Sequence, residues 1–374
     1  MAALERPVIV PATSSSPASL RRGSAKGPRL QVAGVCVWGV PGYDQWHAQH
    51  AEHQWKGRTT VIDTIRSWGA NLVRLRLDAT DYNGQKWGLT KQQYLDRTKE
   101  WVDLATKAGM YTQICWWDSL SQGSAWPGRA TEAFDMMAKV NALFKDNPAV
   151  IYEPFNEPNN VTWAQWTPSM KAAVSHWRSI GYRGVLAINT IHWSHSYDDG
   201  RMSELEAHDA AQPGMNGTHQ LMFCRHDYAN EFKDKKWDRA KWIADNGGTS
   251  TKHVMEESEF GNYNGTPDTV SEQWTKDACA FFASRFKDSP NFAGAIPFLF
   301  GPWFDVNALT DGSNVKPTSW GVIARDQFLR SVAWEPEPQP ETSKPHPAVA
   351  DLRAKAAALR ASADQLDAVA ATME

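Results

Sequence analysis

The sequence predicts an α/β protein whose centre is a closed (β/α)8 TIM barrel, with a disordered N-terminal arm before it and a helix after a Pro/Glu linker behind it. Three observations carry that expectation. Eight short apolar runs recur along the chain, and segments with helically spaced apolar residues separate them. No G-x-G-x-x-G motif follows the first run, which argues against an open sheet that cradles a dinucleotide. The 374 residues suffice for one barrel of about 250 residues or more with tails.

Residues 1–28 are rich in Ser, Ala, Gly and Arg and read as a mobile arm. Their apolar stretch, Pro7 to Val10, is shorter than the about 7 to 15 apolar residues of a secretory signal, so none is expected. The barrel is expected over residues 29–334. Its strands are Leu30 to Trp38, Asn71 to Leu77, Tyr111 to Trp116, Ala149 to Phe155, Gly184 to Asn189, Gln220 to Arg225, His253 to Glu259 and Ala293 to Leu299. Among the helices, Thr90 and Gln93 make a capping box ahead of "YLDRTKEWVDLATKAGM", and Gly109 stands where a C-terminal cap belongs. The others are Thr59 to Trp68, Thr131 to Lys145, Pro168 to Ile180, Asp238 to Asp245, Thr269 to Phe286 and Thr318 to Arg330. "EPEPQPETSKPHP", residues 335–347, is an extended linker. In residues 348–374, Leu352, Leu359, Leu366 and Met373 recur every seven residues, with Val349, Ala356, Ala363 and Ala370 between them. That seam fits either a short oligomerising coil or a helix folded back on the barrel.

Composition removes several classes of function. A net charge of −3, with no long run of Lys and Arg, gives nothing to track a phosphate backbone, so nucleic acid is not an expected partner. No run approaches the about 20 apolar residues of a membrane span. Cys36, Cys115, Cys224 and Cys279 are widely spaced without a C-x-x-C pair and read as buried thiols. His47, His50 and His53 lie three apart, but no carboxylate or cysteine pattern completes a metal site, and neither metal nor cofactor is expected. The 19 tryptophans exceed ordinary packing needs and offer flat faces of the kind that stack on sugar rings.

Function on such a barrel belongs at the carboxyl ends of its strands. The fourth strand ends in "YEPFNEP", which sets Asn156 and Glu157 at that rim, and the seventh, "HVMEESEFGNY", brings Glu259 there. Two carboxyl groups facing each other over the axis are the equipment of a glycosidase. Glu153, two residues inside its strand, reads as structural; alternation turns Glu256 to the opposite face and leaves Glu257 deeper in the barrel. Arg76 shares a face with Arg74, as an ion-pair partner or a substrate contact.

These residues resemble glycoside hydrolase family 5, the cellulase-like enzymes of clan A, over roughly residues 30 to 332. "NLVRLRL" resembles the strand-two segment with its arginine, Arg74; "FKDNPAVIYEPFNEP" resembles the strand-four region, giving Asn156 and the acid/base Glu157; "HDY" resembles the strand-six H-x-Y, His226 and Tyr228; "SEFG" resembles the nucleophile segment, giving Glu259. The resemblance implies a retaining β-glycosidase in which Arg74 and Tyr228 hold the nucleophile and Asn156 meets the hydroxyl beside the anomeric carbon. The chain departs from the family after strand three, where "QICWWDS" stands in place of histidines, and at strand eight, where "AIPFLFGPWF" leaves Phe298, Phe300 or Trp303 for the usual tryptophan platform. Trp116, Trp117, Trp193 and Trp303 are the candidates for sugar contact. The expected activity is hydrolysis within a polysaccharide. The rival is a catalytically weak glycan-binding barrel that targets a larger assembly, such as a virion, through the terminal helix, which also offers a route to a homo-oligomer.

Overall fold

A computed structural model describes residues 4–332, except 38–39, 43, 45–55, 85, 118–125, 233, 235, 249, 263–271, 302–307, 312 and 314. By contacts the chain divides into two units, residues 3–334 and 335–374. The expected linker and heptad helix, together with His47, His50, His53 and Trp303, lie outside the described residues.

Among the described residues ten strands run in the order β1 (Pro7–Val10), β2 (Ser19–Arg22), β3 (Val32–Val37), β4 (Leu72–Leu77), β5 (Tyr111–Trp116), β6 (Val150–Glu153), β7 (Leu186–Asn189), β8 (Leu221–Tyr228), β9 (Met255–Gly261) and β10 (Phe292–Pro297). β3 to β10 form a closed barrel in which each pairs in parallel with its neighbours and β10 returns to β3. At that seam Gly294 has φ 143°, and a Cβ there would lie 1.9 Å from the Val32 carbonyl oxygen, so closure needs glycine. The outer layer comprises α1 (Arg58–Ser67), α2 (Ala79–Asn83), α3 (Lys91–Lys107), α4 (Trp126–Phe144), α5 (Trp163–Ser179), α6 (Asp199–Ala210), α7 (Arg239–Asp245), α8 (Glu272–Asp288) and α9 (Ser319–Ile323), the last continued by a wider turn over Ala324–Leu329. The barrel architecture is the one expected.

Local chemistry explains most element ends. Thr90 and Gln93 form the expected capping box at α3. A second box, Thr162 with Gln165, starts α5 five residues before Pro168, so the proline lies inside the helix rather than at its start. Helix α6 was not expected, because "DGRMSELEAHDA" carries few large apolar residues; Asp198 caps it and Met202 and Leu205 alone anchor its buried face along with Asp209.

Residues 4–28 depart from the expected mobile arm. β1 and β2 pair as an antiparallel hairpin, Pro7 opposite Arg22 and Ile9 opposite Leu20. Ile9, Ala18, Leu20 and Leu30 join the apolar floor of the barrel, formed by Val32, Leu72, Tyr111, Ile151, Met222, Val254 and Ile296. The Ile9 amide donates to Gln220 Oε1 at 2.8 Å, the Ala18 amide donates to the Thr251 carbonyl at 2.9 Å, and the Tyr111 hydroxyl donates to the Glu5 carbonyl at 2.8 Å. The hairpin therefore covers the amino ends of the strands. The strands are four residues each, so an average over the polar segment hides them.

Candidate active site

Above the apolar floor the barrel interior turns polar. Arg74 from β4 is wholly buried and organises the layer. Its Nε and Nη2 donate to the two oxygens of Glu153 at 2.7 and 2.6 Å, its Nη2 also to Asn156 Oδ1 at 2.6 Å, and its Nη1 to Glu259 Oε1 at 2.5 Å. One guanidinium thus ties β4 to β6 and β9, a task suited to its fixed fork of donors. Glu153 takes two further donors, Gln113 Nε2 at 2.9 Å and Asn189 Nδ2 at 2.5 Å. Burial pushes Glu153 up, but the Arg74 charge and hydrogen bonds outweigh it, and the carboxyl ends below its ordinary range. Asn156 turns its carbonyl oxygen to Arg74, which leaves its amide NH2 directed away from that contact.

Glu157 follows at the rim with φ 45°, a left-handed conformation uncommon for a residue other than glycine. Its amide donates to Asn189 Oδ1 at 3.3 Å, and the same oxygen accepts from the Ser194 hydroxyl at 2.6 Å. Its carboxyl Oε1 is 2.7 Å from His226 Nδ1, and Nδ1 lies 3.6 Å from Glu259 Oε2. The Tyr228 hydroxyl donates to that Oε2 at 2.6 Å. Oxygens of Glu157 and Glu259 and a ring nitrogen of His226 all lie within 4.8 Å of one another.

A bulge in β9 makes this convergence possible. Arg225 pairs with Glu257 and His226 with Glu259, so Ser258 is one residue too many on its strand. The reading by strict alternation is corrected here. Glu256 is the residue inside the barrel, where its Oε2 accepts from Gln113 Nε2 at 3.0 Å, and Glu257 faces the helical layer, accepting from Trp242 Nε1 at 3.1 Å. The extra residue restores Glu259 to the interior that Glu256 already occupies, and Ser258 Oγ reaches His226 Nε2 at 2.9 Å.

Burial raises Glu157 to about 7; Arg74 and His195 oppose it and Glu153 adds to it. Burial also raises Glu259, opposed by His226, Arg74 and the Tyr228 hydrogen bond and reinforced by Glu157. His226 is lowered to about 4, chiefly by burial, and is a neutral imidazole near neutral pH. Of the two carboxyls, Glu259 has the Arg74 guanidinium bonded to it, and Glu157, without that bond, is the one lifted to about 7.

The aromatic candidates divide. Trp117 is half-buried at the rim, stacked on Phe298 with ring centres 5.8 Å apart, and 5.6 Å from the Arg76 guanidinium, which pairs with Asp78 at 3.1 Å. Trp193 is 46% exposed in a left-handed turn of His192, Trp193 and Ser194, and its amide donates to the Pro158 carbonyl at 3.3 Å. Trp116 is corrected: it is wholly buried on the outer side of β5, edge-on to Trp177 at 5.3 Å, because alternation sends it outward while Cys115 reaches Arg74 inside. Phe300 is equally buried, against Trp68, whereas Phe298 lies at the site.

Gln113, Asn189, Ser258 and His195 were missed. Asn189 carried a signal, since a polar residue closing an apolar strand resembles the situation of Asn156. Among the described residues, two groups have metal-ligand side chains close together, Glu157 with His226 and Glu259, and His195 with Asp227 and Glu231. In each a guanidinium already supplies positive charge, Arg74 on Glu259 and Arg225 on Asp227 at 2.8 Å.

Comparison with known proteins adds the ancestry. Residues 25–292 match the family described as Cellulase (glycosyl hydrolase family 5). The chain belongs to glycosyl hydrolase family 5. It is 28% identical over 282 residues to endoglucanase A of Evansella cellulosilytica, a match covering 73% of this chain and 48% of that protein. With endoglucanase A of Butyrivibrio fibrisolvens it shares 31% identity over 142 residues, 37% of this chain and 30% of that one. The chain thus spans less than half the length of these relatives. Among solved structures, a β-glucanase from Saccharophagus degradans superimposes with a TM-score of 0.63 at 15% identity, covering 88% of this chain and 94% of that one. The catalytic domain of a Thermobifida fusca endoglucanase gives 0.61 at 20%, covering 86% and 96%. Both show the same fold.

Proposed function

We propose that this family 5 chain is a retaining β-glycoside hydrolase that cuts within a β-glucan, with Glu157 as acid/base and Glu259 as nucleophile. The observation that supports it most is the approach of Glu157 and Glu259 to within 4.8 Å about His226. Retaining enzymes need carboxyls about 5 to 5.5 Å apart, and inverting ones need about 6.5 to 9.5 Å to admit a water.

In the first step Glu259 attacks the anomeric carbon while Glu157 gives its proton to the leaving oxygen, and a glycosyl ester forms on Glu259. In the second, Glu157, now a carboxylate, takes a proton from a water that attacks the same carbon and releases Glu259. Arg74 and Tyr228 stabilise the charge that returns to Glu259. The Asn156 amide donates to the hydroxyl next to the anomeric carbon, a bond that strengthens as positive charge develops on the sugar. Trp117 and Trp193 offer faces to sugar rings of the substrate.

The substrate class comes from the relatives, named endoglucanases and a β-glucanase. Screening the protein on β-glucans, β-mannans and xylans tests it, with proton NMR of the first-formed sugar expected to show the β-anomer. Glu157→Ala and Glu259→Ala are each expected to lower turnover by at least about a thousandfold, with azide rescuing Glu259→Ala to give an α-glycosyl azide. Near-normal turnover in both variants would refute the assignment, and an α-product from the wild type would mark an inverting enzyme.

A further inference from the structure

We propose that Ser258, the extra residue of the β9 bulge, is a positioning residue that sets the tautomer of His226 and thereby holds the catalytic proton on Glu157. The proposal rests on the reading of Glu157 as proton donor. Two short contacts in series, and a longer third one, carry it. Glu157 Oε1 lies 2.7 Å from His226 Nδ1, His226 Nε2 lies 2.9 Å from Ser258 Oγ, and Ser258 Oγ lies 3.5 Å from the Arg225 carbonyl oxygen, which can only accept.

A neutral imidazole has one ring hydrogen, and each short contact holds one hydrogen. With the carboxyl of Glu157 protonated, its O–H donates to Nδ1. The ring hydrogen then sits on Nε2 and donates to Ser258, whose own hydrogen is free to turn toward the Arg225 carbonyl 3.5 Å away or toward the Cys224 sulfur. The donors run outward from the acid in one direction. In the opposite tautomer Nδ1–H donates to a Glu157 carboxylate, and Ser258 donates to Nε2. Burial holds His226 down at about 4 and Glu157 up at about 7, which leaves one hydrogen on the ring and one on the carboxyl between those values. The charged or titratable groups facing this pair are Arg74 from β4, Glu153 from β6, His195 from the loop after β7, Tyr228 from β8 and Glu259 from β9.

Ser258 thus accepts the hydrogen that keeps Nδ1 a lone pair. After proton transfer to the leaving group, that lone pair faces a carboxylate and makes it a stronger base toward water. Without the hydroxyl, an Nε2–H would stand unpartnered in a fully buried place, which costs more than an unpartnered lone pair. The ring then favours Nδ1–H and the ionised acid.

The test compares wild type, Ser258→Ala and Ser258→Thr. In kcat/KM for cellotetraose against pH, Ser258→Ala should move the alkaline limb down by about one pH unit with the acid limb in place, and Ser258→Thr should restore it. On 2,4-dinitrophenyl β-cellobioside, whose leaving group needs no proton, Ser258→Ala should lose far less. Two-bond 1H–15N correlations of the free wild-type protein should show hydrogen on His226 Nε2 below the limb. This measurement needs no substrate, so it stands if cellotetraose is not cleaved, and no variant, so it stands if Ser258→Ala fails to fold. Hydrogen on Nδ1 below the limb, or an alkaline limb unchanged in Ser258→Ala, overturns the proposal.

Discussion

Glu153 and Glu256 lie a few ångströms apart around the Gln113 amide, yet they bear opposite relations to pH. Glu153 has a guanidinium on both oxygens and sits below its ordinary range, so its contribution to stability is present above about 4.5 and is lost as acid protonates it. Glu256 bonds the Gln113 amide and the Cys224 thiol rather than a cation, and burial, with the nearby Glu153 charge adding to it and Gln113 and the more distant Arg74 opposing it, lifts it to about 8. Between its ordinary value of 4.5 and about 8 the folded protein binds more protons than the unfolded chain, so stability falls as pH rises through that window. Each unit of displacement corresponds to about 1.4 kcal/mol. Glu256→Gln keeps an acceptor for Gln113 and cannot ionise. Its melting temperature, followed by circular dichroism, is expected to drop less than that of the wild type between about pH 5 and pH 8. Parallel curves would show that Glu256 carries no such burden.

At the scale of elements, the β1–β2 hairpin is the part whose removal speaks most directly. Deleting residues 1–28 uncovers Tyr111, Ile151 and Met222 at the barrel floor, so the shortened protein should bind a hydrophobic dye and melt earlier. A melting temperature equal to that of the full chain would show that the hairpin adds nothing to the core. Hairpin and bulge also mark where sequence reasoning stopped. The strand ends carrying Arg74, Asn156, Glu157, His226 and Glu259 were legible because polar groups interrupting apolar runs need a reason to be buried. Trp116 was misread because its neighbour Trp117 looks identical in sequence, and only the pleat separates them. The bulge left no mark at all. "MEESEFG" is buried from end to end, with no Gly, Pro or Asn at Ser258 to announce a local change of register.

For the whole molecule, the heptads of residues 348–374 make a prediction about assembly. Leucine at alternate core positions with alanine between them supports close packing of two or three copies over little buried area. Deleting residues 335–374 is expected to leave hydrolysis of a small chromogenic glycoside unchanged and to shift light-scattering mass toward the monomer. A full chain already monomeric at high micromolar concentration removes the coil. Order of synthesis matters as well. The hairpin precedes every barrel strand in the chain, yet its anchors are distant: Ile9 bonds Gln220 across 211 residues, and Ala18 bonds Thr251. On the ribosome, Ile9 and Leu20 emerge long before the strands that will receive them. They must stay soluble in company with serines and arginines while most of the barrel is made, and the bonds to Gln220 and Thr251 form only when those late segments arrive. The polar composition that made this stretch look unstructured is then what keeps a nascent chain from sticking before its binding place exists.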